Sequence, residues 1–247
     1  MLRPRTRAAL ARARDAGLHV IVVTGRMFQS VRRYLREAGL ADPVVCYQGA
    51  VVADPTSGEF LRHVPIPREL ALEAIEVVAP RFHLNCYVDD ELYVSEVTAE
   101  ARAYADFQDL QIHPVGDLAA WLEADPTKLV AVGEPHALDS FKQELRPRFD
   151  GRLFVAKSLP YFLEFAHPSV SKGAGLAFVA ERVGFAPEQT IGFGDGENDI
   201  ELLDWAGYGV AVANAHDAVL ARADLVCPPV DEEGVAAVIE ALLDSRK

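Results

Sequence analysis

Apolar positions along this chain fall into two textures. At both ends, short continuous apolar runs alternate with stretches of helical period, and the middle alternates differently. Residues 5 to 16 have helical spacing, and Gly17 is placed to stop them. The run "LHVIVVTGR" then predicts a strand buried on both faces of a parallel sheet. A helix from about Gln29 to Ala38 follows, then "PVVCYQGAVV" as a further strand broken at Gly49. The far end repeats the alternation: helix "SKGAGLAFVAERVG", strand "QTIGFG", helix "NDIELLDWAG", strand "YGVAVA", and a last helix from about Glu232. Strands alternating with helices predict an α/β, doubly wound parallel sheet.

Residues 53–165 break the rhythm. "HLNCYVDD" and "ELYVSE" read as strands around a hairpin turn at Asp89-Asp90. "PTKLVAVGEP" and "GRLFVAKSLPYFLEFA" add strands around the helical "HALDSFKQELRPRF". Antiparallel strands with helices predict an inserted α+β domain at 53–165, leaving 1–52 and 166–247 to build the sheet domain together. There is no internal repeat and no low-complexity segment.

With half of its 247 residues hydrophobic, the chain can fill a sizeable core. A formal charge of −13 argues against nucleic acid and anionic membrane as partners. It leaves an anionic small molecule open, because local fields decide that. The basic start lacks the apolar centre of a signal peptide, and no apolar run approaches a membrane span. Cys46, Cys86 and Cys227 form no CxxC and read as buried small hydrophobes in a reducing compartment. The expectation is a cytoplasmic protein; oligomeric state is not readable.

Candidate chemistry concentrates in three places. In "IGFGDGENDIELL", a strand delivers Asp195 to the carboxyl edge of a sheet, where open α/β folds bind ligands. Asp195 and Asp199 stand four apart at a helix start and can face one point, a pairing of hard oxygens that suits Mg²⁺. Taken alone, Asp195 also reads as a helix cap, with Glu197 and its neighbours favouring the helix dipole. An EF-hand is excluded because Ile200 occupies its glycine position and Ala206 its final glutamate position. A dinucleotide fingerprint is excluded because the glycines run GxGxG, which disfavours a nucleotide-dependent oxidoreductase. In "VVTGR", the Thr24 hydroxyl and the Gly25 amide can hold phosphate oxygens, or Thr24 can cap a helix. In "HPSVSKGAGL", Lys172 opens a helix against the dipole, which calls for an anion nearby or leaves an ordinary solvated lysine. A hydroxyl, a lysine and a carboxylate pair at one sheet edge are what phosphoryl transfer requires.

These motifs resemble the haloacid dehalogenase (HAD) superfamily of phosphatases, in its Cof-type branch with a large cap. "VVTGR" is similar to that family's second motif, "SKGAGL" to its third and "GDGENDIELL" to its fourth. The resemblance implies that Thr24, with Gly25, binds the transferring phosphoryl group and that Lys172 balances phosphate and nucleophile. It implies Asp195 as a Mg²⁺ ligand, Asp199 supporting the metal site and Asn198 near the phosphate. Arg26 meets a substrate anion or holds the loop by a salt bridge. "VVCYQGA" resembles the approach to the cap, with Gln48 where the family usually has Asn. The inserted domain corresponds to the mobile cap, and its His83, Asn85, Tyr87 and Tyr93 are candidates to face substrate or to fill cap core. The implied substrate is a small phosphorylated metabolite: a sugar phosphate, or a pyridoxal or flavin phosphate.

The family's first motif, DxDGT, with its nucleophilic aspartate, does not occur in these residues. In relatives it precedes a segment much like "LRPRTRAALARARDAG". One expectation is therefore a nucleophile-bearing strand upstream of Met1, acting through an aspartyl phosphate that water hydrolyses. The rival expectation is a catalytically inactive phosphate- or metabolite-binding protein.

Overall fold

The computed structural model describes residues 2–245, apart from the side chain of Phe107. The chain divides into two compact units. One comprises residues up to Gly25, Val31–Leu61 and everything from Ser171; the other comprises Arg26–Ser30 and Arg62–Val170.

The first unit is mixed α/β. Its first helix, Pro4–Asp15, starts on a proline whose missing N–H costs nothing there, and Gly17 ends it at φ 79°. The helix packs on Gly234–Asp244 through Ala9 and Ala13, flanked by Arg5–Glu240 at 2.6 Å and Arg12–Asp244 at 2.9 Å. Arg3 adds a bond to Asp231 at 2.9 Å.

The apolar run from Leu18 corrects the expected long strand. It joins Val44–Cys46 by a single parallel bridge, Val23 to Val45, fastened by Thr24 N–H to Val45 O at 2.8 Å and Val45 N–H to Val22 O at 2.9 Å. Its neighbour is three residues long and turns away at Tyr47, so the ladder stops there. "PVVCYQGAVV" is likewise a hairpin rather than one strand: Val44–Cys46 pairs antiparallel with Val51–Ala53, and Phe60–His63 lies beyond. The reversal occurs at Tyr47, Gln48 and Gly49, all left-handed at φ 51°, 60° and 106°.

The parallel ladder lies in a second three-stranded sheet, Ile191–Gly194, Tyr208–Val212 and Leu225–Cys227. Val210, Val212 and Cys227 are buried there with Ile191, Phe193, Val235 and Val238. Helix Lys172–Val183 begins at Ser171, whose hydroxyl accepts from Ala174 N–H at 3.1 Å, and ends at left-handed Gly184. Two starts fall later than expected: Glu197–Asp199 forms a 3₁₀ turn before helix Ile200–Trp205, and the last helix begins at Gly234. A Cβ at Gly234 would lie 1.9 Å from Pro228 O, so the chain turns in there on a glycine.

The second unit carries a six-stranded sheet in the order Ile112–Pro114, Glu91–Val94, His83–Val88, Lys128–Val132, Phe162–Ala166, Phe154–Leu159. All pairs are antiparallel except the first, between Glu91–Val94 and Ile112–Pro114. Asp89 and Asp90, both left-handed, make the expected hairpin turn, with Val88 opposite Glu91. Alternation sends Leu84, Cys86, Leu129, Ala131, Leu163 and Phe165 to one face, under helices Arg68–Val78 and Pro135–Phe149. The other face buries Asn85, Tyr87, Lys128 and Glu164, with Tyr104 of helix Ala99–Gln108 reaching Tyr87.

Candidate active site

The first unit gathers five sequence-predicted residues, Thr24, Gly25, Lys172, Asn198 and Asp199, around one helix start. Thr24 ends the extended run, its N–H on Val45 O and its carbonyl accepting from Gln48 N–H at 3.1 Å. Gly25 follows under tight constraint: a Cβ there would lie 2.3 Å from Gln48 Nε2. Lys172, the first residue of its helix, is only 7 % exposed, and its ammonium donates to Asp199 Oδ1. Asn198 Nδ2 donates to Gln48 Oε1 at 3.0 Å.

Glycines let these pieces close on each other. Gly49 abuts the carbonyl of Ser171, where a Cβ would stand 2.0 Å from the oxygen. Gly175 meets Val45 Cγ1 at 2.4 Å by the same measure, and Gly173 meets Glu201 O at 2.5 Å. The helix carrying Lys172 is therefore pressed against both the 47–49 turn and the segment after Asp199.

Asp199 is buried, and both of its oxygens are engaged. Oδ1 takes Lys172; Oδ2 accepts from the N–H groups of Asp195 and Gly196, each at 3.0 Å. Burial by itself pushes this carboxyl up, but the Lys172 charge and hydrogen bond, with the two amides, outweigh it and hold the group below the usual carboxylate range. Asp199 so neutralises the cation that the helix dipole disfavours and shapes the Asp195 loop at the same time. Asp195 itself is exposed, and its carboxylate bonds to no other described residue. Glu197 is exposed, with His216 4.0 Å away.

Among the described residues no group of three or more His, Cys, Asp or Glu side chains converges as a metal cage. Mg²⁺ needs none, since it keeps waters and binds through one or two carboxylates plus phosphate oxygens. Asp195 fits that role; Asp199, with both oxygens taken, is better described as its support.

The remaining predicted residues lie in the second unit. Arg26 donates to Ser30 Oγ at 3.3 Å and Gln108 Oε1 at 3.2 Å. Beside it, Asp90 caps the next helix, accepting from Phe28 N–H at 3.0 Å and Gln29 N–H at 2.7 Å. His83, Asn85 and Tyr87 share the polar sheet face, with His83 Nε2 3.1 Å from Asn85 Oδ1 and Asn85 Nδ2 buried without a partner among the described residues. Burial lowers the His83 pKa more than the Asn85 contact and nearby glutamates raise it. Tyr93 lies on the opposite, apolar face, its ring centroid 4.3 Å from that of Trp121 and tilted by 30°. Sequence reasoning passed over Gln48, noting it only as a departure from a motif. The Gly49 break beside it was the available signal.

The chain matches the family model for haloacid dehalogenase-like hydrolases over residues 1–239. It belongs to that family. A phosphoglycolate phosphatase from Archaeoglobus fulgidus is 30 % identical over 246 residues, covering 98 % of this chain and 92 % of that protein. The pyridoxal phosphate phosphatase YbhA of Escherichia coli is 28 % identical over 249 residues, covering 96 % and 91 %. Among solved structures, TM0651 from Thermotoga maritima has 30 % identity and a TM-score of 0.86, covering 97 % of this chain and 90 % of its own. The chain thus sits among phosphatases of small phosphorylated molecules.

Proposed function

We propose that this protein is a Mg²⁺-dependent phosphatase that hydrolyses a phosphate monoester of a small metabolite, a sugar phosphate or similar compound. The observation that carries the reading is the buried Lys172–Asp199 pair beside Asn198 and the Thr24 turn. The Thr24 hydroxyl and the Gly25 N–H bind phosphate oxygens, with Asn198 donating a further amide hydrogen. Lys172 offsets their charge, and Asp199 keeps its ammonium aimed. Asp195 would hold Mg²⁺, which when bound screens the charge that builds on the transferring phosphoryl group. Residues 1–52 and 166–247 form the phosphate-binding core and 53–165 the cap; Arg26 of the first segment and His83, Asn85 and Tyr87 of the cap are candidate contacts for the substrate. The setting is the cytoplasm; no helix of the described residues is long and apolar enough to cross a membrane.

The resemblance assigns the phosphoryl acceptor to an aspartate of the DxDGT motif, which these 247 residues lack. In a second reading the site binds phosphate or a phosphorylated metabolite and does no chemistry. One experiment separates the two. Phosphate release from a panel of sugar, pyridoxal and flavin phosphates is measured with Mg²⁺ and with EDTA, alongside calorimetric binding of the same compounds. Mg²⁺-dependent release supports the phosphatase; binding without release supports the second reading; neither one sinks both.

A further inference from the structure

Tyr47, Gln48 and Gly49 are three successive left-handed residues, two of them not glycine. Such backbone persists only where its surroundings over-determine it, and here they do. Gly49 is wedged against Ser171 O, Gly175 against Gly49 and Val45, and Ala50 N–H closes the turn on Tyr47 O at 3.1 Å. Of the turn's two buried side chains, Tyr47 and Gln48, it is the polar one, Gln48, 7 % exposed, that lies between two loops.

Each end of that side chain meets a different loop. Oε1 accepts from Asn198 Nδ2 at 3.0 Å, which fixes the amide's orientation and turns Nε2 the other way. Nε2 lies under Gly25, so close that a Cβ at 25 would sit 2.3 Å away. The backbone repeats the tie, with Gln48 N–H donating to Thr24 O. Asn198 is thereby left with one amide hydrogen in reserve, on a side chain whose direction Gln48 sets.

We propose that Gln48 is a positioning residue, holding Asn198 and the Thr24–Gly25 turn in the mutual geometry that lets both donate to one phosphate. The proposal rests on the phosphate-site reading above. It attributes the strain of the 47–49 turn to this bridge, because an extended backbone at 48 would carry the amide away from both loops.

The test uses the intact chain and two variants that suit the turn. Gln48→Asn tolerates a left-handed backbone but is one methylene too short to reach Asn198. Gln48→Glu keeps the acceptor but replaces the NH₂ group by negative charge. Inorganic phosphate binding is measured by calorimetry, the Asn198 side-chain NH₂ resonances by ¹⁵N NMR, and folding by thermal melts. Melts close to wild type are expected for both variants. Phosphate affinity should fall about fivefold in Gln48→Asn, the worth of one neutral hydrogen bond. It should fall more than about tenfold in Gln48→Glu, where like charges meet. In Gln48→Asn the two Asn198 NH₂ signals should collapse towards free-amide shifts. Unmoved Asn198 signals in that variant would overturn the positioning role, whatever the phosphate data. Equal phosphate affinity in all three proteins would overturn it too. A wild type that binds no phosphate, yet whose Asn198 signals respond to Gln48→Asn, would instead overturn the site reading and take the functional half of the proposal with it.

Discussion

Lys172 and Asp199, 27 positions apart, form a buried ion pair with side chains 8 % and 6 % exposed. Removing one partner of such a pair leaves an uncompensated charge, at about 3–5 kcal/mol. Lys172→Ala should therefore lower the melting temperature by roughly ten degrees, as well as abolish phosphate binding. Scanning calorimetry checks this, and a drop under about two degrees would count against the pairing.

Asp195, by contrast, is exposed, and its carboxylate holds no other described residue in place. Asp195→Asn should change stability by less than about 0.5 kcal/mol. Its Mg²⁺ affinity, read by titration in the presence of phosphate, should fall at least about tenfold. Unaltered Mg²⁺ binding would remove Asp195 from the metal site.

Two glycines share a left-handed backbone but not the space around it. Gly17, at φ 79°, has nothing within 4 Å of an added Cβ, whereas Gly49, at φ 106°, has Ser171 O at 2.0 Å. Gly17→Ala should cost about 1 kcal/mol, from backbone strain alone. Gly49→Ala adds a collision with backbone and should cost about 3 kcal/mol or more. Urea unfolding of the two variants tests the ranking, and equal midpoints would contradict it.

Acid titration should find Glu73 late. Hydrogen bonds from Arg152, then Arg148, hold its carboxyl at about 2, below its ordinary 4.5. Because the folded value is the depressed one, the triad's contribution is complete above 4.5 and is lost as pH falls from there towards 2. A side-chain ¹³C titration of Glu73 with an inflection near 4.5 would refute this. The group is solvent-facing, so added salt should weaken the effect.

Much of this was legible in the sequence, and what was not has physical reasons. Helix ends were readable because Gly17, Ser171 and Gly184 act locally, on the residues beside them. The strand from Leu18 was not, because a strand exists only as far as a partner follows it, and Val44–Cys46 follows for one bridge. The hairpin at 44–53 hid because Tyr47 and Gln48 adopt a conformation their residue types rarely signal. At the site, the residue types and their order pointed to phosphate, but the division of labour among the acids did not. Only the coordinates reveal that Asp199 spends both oxygens inward while Asp195 spends neither. Tyr93 illustrates the period-two rule: one step from Leu92 it lands on the opposite face, packed against Trp121.

The arginine-rich helix Pro4–Asp15 finds acidic partners in Gly234–Asp244, with Arg12 and Asp244 separated by 232 positions. On the ribosome the first of these helices emerges long before the second exists, a wait of roughly 10 to 50 seconds at ordinary elongation rates. Through that interval its basic side chains, and Ala9 and Ala13, which the folded protein buries, stay uncovered. The nascent chain thus carries a cationic segment whose carboxylate partners are made last.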